Sequence, residues 1–175
     1  QRTENGLFSR ERREKRNNSM AIAPSVLAYL EANDIGYETI SHPKSYSSAE
    51  TAAAAHVLDD HVAKGVVLKD GENFLLVVIP ANQWVNLKQV EKEMNETYHL
   101  AEESDAEELF VDCQPGAIPP LGSPYGLETL LDEDLTALAR VYFEAGDHEQ
   151  LIVLSGEQFN RAMRGARHGH FYETV

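Results

Sequence analysis

The stretch VAKGVVLKDGENFLLVVIP, Val62 to Pro80, decides the fold. KGVVLK and NFLLVVIP are both rich in β-branched and large apolar residues, and Asp70-Gly71 between them marks a tight turn. The pair reads as a β-hairpin. Its second half is almost wholly apolar, so that strand is expected inside a sheet covered on both faces. A strand of that kind needs layers on either side, and the flanking sequence supplies them.

Upstream, APSVLAYLEANDIG reads as a helix, with Pro24 at its first position, Val26, Leu27 and Leu30 on one face, and Gly36 beyond its end. YETI is a short strand and SHPKSYSS a loop. SSAETAAAAHV is a helix with Ser47 or Ser48 as N-cap and Glu50 near its third position. Downstream, NLKQVEKEMN is an amphipathic helix, and AEESDAEELF is a second short one capped by Ser104 or Asp105. LETLLDEDL gives a strand and turn, ARVYFEAG and EQLIVLS give strands, and SGEQFNRAMRG closes as a helix. The tail ARHGHFYETV shows no clear element. Helices interleaved with hairpin-linked strands predict an α+β fold with a mixed sheet, not a doubly wound parallel one.

The 175 residues suit one core. Residues 1–19 carry six Lys/Arg and three Asp/Glu, a net of +3, whereas the rest carries nine basic and 26 acidic residues, a net of −17. The arm is read as a tag, a scar or a flexible extension, because MAIAPSVLAYLEAND from Met20 begins like a domain; residues 20–175 are that domain. No apolar run approaches a membrane span and no signal-peptide pattern is present, which points to the cytoplasm. The lone Cys113 excludes an intramolecular disulfide and a multi-cysteine zinc site. The acidic body argues against broad wrapping of nucleic acid, but not against a partner held at one small positive spot.

The Walker, dinucleotide-binding, HExxH and GxSxG motifs are all missing. Lys64 is either a solvated edge lysine or an ammonium at a pocket mouth, aimed at a phosphate or carbonyl oxygen. His168 and His170 lie in a tail with no evident third metal ligand, while His42 and His148 sit in loops. The segment from Pro115 to Gly126 holds seven prolines and glycines in twelve residues. It is either a connection stiffened by proline or a rigid frame that lets a glycine amide approach a ligand.

AKGVVLK followed about fifty residues later by GAIPPLG resembles the YbaK/EbsC family of free-standing aminoacyl-tRNA deacylases, related to the editing insertion of bacterial prolyl-tRNA synthetases. The likeness runs from about Ser25 to Met163 and takes in SHPKSYSSAETAAAAHV and the late VYFEAG and LIVLS strands. The resemblance implies a compact domain with a mixed, barrel-like sheet flanked by helices. It implies hydrolysis of the ester joining a wrong amino acid to the terminal adenosine of tRNA, without metal, cofactor or covalent nucleophile. Lys64 matches the family's lysine, expected to hold the terminal phosphate or adenosine end. Gly116 and Pro120 match its G-x-x-x-P loop, whose glycine backbone positions carbonyl and water. Ala117 and Ile118 lie within that loop, and Tyr46, Ser47 and His148 are further substrate-binding candidates. The implied partner is the CCA end of tRNA; an aminoacyl-tRNA synthetase is a further one, and no membrane is involved. Many members read Gly-Gly where this chain has Gly116-Ala117, and alanine does not reach positive φ cheaply. The alternatives are a non-catalytic nucleotide- or partner-binding regulatory domain on the same fold, and hydrolysis of another small ester or amide. A basic cluster of Lys44, Lys64, Lys69 and Lys88 is expected near one mouth.

Overall fold

The computed structural model describes residues 22–174; the basic arm lies outside the described residues. Helix α1 (Pro24–Ala32) leads to β1 (Glu38–Ser41), α2 (Ser48–Ala54), β2 (Val62–Asp70) and β3 (Asn73–Pro80). Then come β4 (Trp84–Val85), α3 (Leu87–Met94), β5 (His99–Leu100) and α4 (Glu103–Leu109). After the proline loop follow β6 (Glu128–Asp132), α5 (Glu133–Thr136), β7 (Arg140–Glu144), β8 (Gln150–Ser155), α6 (Gly156–Ala162), β9 (Arg167–Gly169) and β10 (Tyr172–Glu173).

The main sheet runs β1-β8-β7-β2-β3-β6-β9, with β5 also on β2. It is mixed. β2–β3, β7–β8, β1–β8 and β2–β5 are antiparallel, whereas β2–β7, β3–β6 and β6–β9 are parallel. The hairpin is where the sequence places it, with Asp70 opposite Asn73 and Gly71 at φ 58° in the two-residue turn.

β3 is buried on both faces. Leu76 and Val78 join Val26, Leu30, Phe143 and Phe159 in the larger core, under α1 and α6. Leu75, Val77 and Ile79 join Val90 of α3, Tyr98 and Phe171 in a second core on the opposite face. The strand's unbroken apolar run is therefore two period-2 patterns superposed.

Two local expectations change. Helix α4 is capped by Glu102, not by Ser104 or Asp105. Asp105 sits one turn in, accepts the Glu102 N–H at 3.1 Å and pairs with Lys69 at 3.2 Å. The tail is also ordered into strands. β9 extends the main sheet beside β6, β10 pairs with β4, and Phe171 between them is 2% exposed. The tail's few apolar residues hide that pairing, because Phe171 alone among the described ones is fully buried.

Asp112 ties the start of α1 to the proline loop. Its carboxylate accepts the Ser25 N–H at 2.8 Å and the Tyr125 hydroxyl at 2.8 Å. Burial raises its pKa, but the hydrogen bonds from Ser25 and Tyr125 outweigh that, and the net shift is downward. A carboxyl with a lowered folded pKa stabilises above its unfolded value and loses that contribution as pH falls through the folded one. Asp112→Asn should therefore flatten the acid limb of stability, measured as urea midpoints at about pH 3 and pH 7, the unfolded value lying near 3.9.

Candidate functional site

The sheet parts at Lys64. β7 pairs with β2 only at Val62 and Ala63, and β5 only at Leu68 and Lys69, so β2 lacks a strand partner between them on that edge. The Val62 carbonyl accepts from Ala81 on the β3 side, and the Val67 carbonyl accepts from Ala101 on the other. Backbone alternation then turns the Gly65 N–H and C=O to the open edge. A cleft of about 190 Å³ opens there, lined by Val62, Ala63, Lys64 and Gly65 of β2 together with Gly116 and Ile118 of the proline loop. Tyr46, Ser47 and Thr51 from the start of α2 form another wall, and Glu144, His148 and Leu151 from the β7–β8 turn complete it.

The proline loop packs directly on β2. A Cβ on Gly65 would lie 2.9 Å from Leu76 Cδ1 and 3.3 Å from Pro120 Cα, so any side chain there crowds the contact. Residues 114–117 form a turn closed by the Ala117 N–H donating to the Gln114 carbonyl at 2.9 Å. Pro115 occupies its second position and Gly116, at φ 79°, its third, as a type II turn requires. The positive φ falls on Gly116 alone; Ala117 needs none and is fully buried. An alanine after the glycine thus fits without strain. Ala117 and Pro120 lie behind the cleft wall, whereas Gly116 and Ile118 line it.

His148 sets the orientation of that turn. Its Nε2 lies 2.6 Å from the Pro115 carbonyl. In a planar trans peptide the N–H points opposite to the C=O, so this bond also fixes the Gly116 N–H. Without it the 115–116 peptide could rotate toward a type I turn. His148 itself has φ 63°, a costly conformation for a residue with a Cβ. Its N–H donates to Glu144 Oε1 at 3.1 Å and its carbonyl accepts from Ser45 at 3.2 Å.

The Lys64 ammonium has no ion pair or hydrogen bond among the described residues, and burial alone lowers its pKa. A half-buried cation without a partner suits an anionic or carbonyl ligand. The Tyr46 ring is 71% exposed at the mouth, 5.2 Å from the His148 ring, with the Lys44 ammonium 5.8 Å from its centroid. The expected four-lysine cluster does not form. Lys69 projects to the opposite face of β2 and pairs with Asp105, and Lys88 on α3 does not line the cleft. Lysine spacing along a chain carries no information about strand face until register is known.

The family model for the aminoacyl-tRNA editing domain matches residues 42–162. The chain belongs to this family. The prolyl-tRNA editing protein ProX of Acetoanaerobium sticklandii is 24% identical over 157 residues, covering 86% of this chain and 94% of ProX. The hypothetical protein APE2540 superposes with a TM-score of 0.75 at 22% identity, over 85% of this chain and 99% of its own. A candidate trans-editing enzyme for prolyl-tRNA synthetase gives 0.74 at 22% identity, over 86% and 96%. The YbaK/EbsC resemblance and the mixed-sheet fold it implied stand.

Six of the eight residues singled out from sequence meet in the editing-domain cleft: Lys64, Gly116, Ile118, Tyr46, Ser47 and His148. Sequence reasoning missed Thr51, Val62, Ala63, Gly65, Leu151 and above all Glu144. Glu144 is the one charged residue of VYFEAG and lies at the strand's end, the position from which a side chain reaches a cleft. His42 is buried beside the cleft's entrance loop, its Nδ1 2.7 Å from the Pro43 carbonyl, and does not line the site. Cys113 does not line it either; burial pushes its thiol up to about 12. Of the tail histidines, His170 lies near Asp132 and Asp134. Asp132 is already occupied by the N–H groups of Asp134 and Phe171, and Asp134 by the Tyr172 hydroxyl. No described helix is long and apolar enough to cross a membrane.

Proposed function

We propose that the protein is a trans-editing aminoacyl-tRNA deacylase, active in the cytoplasm, that hydrolyses the ester of mischarged tRNA. The observation that carries this reading is the convergence of an unpartnered, half-buried Lys64 and the Gly116 turn on one small cleft. Family membership and the likeness to ProX support it.

In this reading Lys64 holds the phosphate or ribose end of the terminal adenosine. The exposed face of Tyr46 receives the base, because an aromatic ring stacks on any nucleobase. The Gly116 turn presents its backbone to the ester carbonyl. Water adds to the carbonyl carbon, the ribose oxygen leaves and takes up a proton, and a free amino acid and a 3′-terminal hydroxyl result. An aminoacyl ester is already activated, so orientation and polarisation of one carbonyl suffice. Cleft size supplies selectivity by excluding larger side chains. Contact only at the CCA end is compatible with a body of net charge −17 beyond residue 19.

The test is turnover. The protein incubated with a panel of mischarged tRNAs should release the amino acid from at least one. Failure to deacylate any pair, with Lys64→Ala behaving like wild type, would sink the enzymatic reading and favour a binding domain.

A further inference from the structure

Lys64 and Glu144 stand where the parallel strands β2 and β7 part. β2 and β7 pair Val62 with Tyr142 and Ala63 with Phe143 and then part, so Lys64 and Glu144 are the first residues beyond the last pair, on one face by strand alternation. Both line the cleft, yet they form no ion pair. Opposite charges so placed would normally close on each other. Here Glu144 is held away: its Oε1 accepts the N–H groups of Gly146 at 3.1 Å, Asp147 at 3.3 Å and His148 at 3.1 Å. Its Oε2 has no hydrogen-bond partner among the described residues, although Glu144 is half-buried. The turn that carries the His148 latch therefore also fixes a carboxylate with one oxygen unengaged beside the cleft.

We infer that Glu144 Oε2 is the subsite for the α-ammonium of the aminoacyl ester, resting on the deacylase reading above. The substrate end is itself dipolar. Near neutral pH an α-amino group is largely protonated, its ordinary pKa lying near 7.7–8.0, and the phosphodiester of the terminal nucleotide is anionic. The ester lies between these charges. Lys64 and Glu144 present the complementary pair on one cleft, and the three N–H groups on Oε1 hold Glu144 out of an ion pair with Lys64. The substrate class is then an aminoacyl ester with a free amine. Peptidyl and other N-acylated esters lack the cation and would leave Glu144 Oε2 without a counter-charge.

The experiment uses the tRNA hydrolysed fastest in the mischarged panel, with its amino acid either free or N-acetylated, in single-turnover assays of wild type and Glu144→Gln. Glutamine keeps the acceptor for the three N–H groups but loses the charge. N-acetylation should slow the wild type about 10- to 100-fold, the range of a charge-assisted hydrogen bond. Glu144→Gln should lose a similar factor on the free amine only, and its preference should fall toward unity, with an unchanged melting temperature. Equal rates of wild type on free and blocked esters would overturn the assignment. So would an unchanged preference in Glu144→Gln, since the acetyl group would then act by bulk. Hydrolysis of no pair by wild type would instead overturn the deacylase reading, and this assignment with it.

Discussion

Replacing Lys64 by methionine is expected to reduce deacylation by about 100- to 1,000-fold, the range found when one preorganised electrostatic group is removed, while the fold keeps or slightly raises its melting temperature. The two halves of that result have one cause. The ammonium is half-buried, burial disfavours its charged form, and no described residue pairs with it. Its desolvation is thus uncompensated without a ligand. Methionine fills nearly the same volume without a charge, so the scaffold loses no partner. The substrate loses the group that holds its anionic or polarised oxygen. Single-turnover rates on a mischarged tRNA and a thermal melt of the same preparation make the comparison. A lysine that served only as a solvated edge residue would leave the rate within about twofold, because such surface changes shift free energies by about 0.5 kcal/mol or less. A large joint loss of rate and stability would place Lys64 in the scaffold instead.

The sequence reveals the halves of this site more readily than their junction. β3 announces itself because burial on both faces demands an apolar residue at every position, and Leu75 to Ile79 comply. The turn at Pro115-Gly116 is legible for the same kind of reason, since only a few residue types satisfy a type II turn. Glu144 is not legible. A glutamate at a strand end is ordinary, and its importance arises from three N–H groups contributed by a turn whose path is tertiary. The tail strands escape because β9 and β10 bury little, their residues being mostly exposed or half-exposed, so no period-2 pattern marks them. The expected lysine cluster fails at Lys69, whose ammonium pairs with Asp105. Five residues apart on a strand, Lys64 and Lys69 face opposite ways.

Gly65→Val should separate the two halves of the site without unfolding the protein. Gly65 has no positive φ, so valine meets no backbone objection and even suits a strand. The obstacle is contact. The first added carbon already lies 2.9 Å from Leu76 Cδ1, a side-chain end that can rotate away, and 3.3 Å from Pro120 Cα, which is backbone. The two γ-methyls enlarge the conflict, and the proline loop must move off β2. Overpacking of this kind costs about 1–3 kcal/mol, within the reach of a domain with cores on both faces of its sheet. The Gly116 turn is tethered to the opposite wall through His148 and the Pro115 carbonyl, so displacement of Pro120 stretches the loop between two anchors. A misplacement near 1 Å in a positioning element costs about 100-fold in rate. The expected result is therefore a cooperative melt at lower temperature, an activity loss of about 100-fold, and retained protection of β3 amides from hydrogen exchange. Gly65→Ala should fall between valine and wild type in both rate and stability. If valine lowered stability while the rate stayed at the wild-type level, the proline loop would not be part of the catalytic site, whatever lines the cleft.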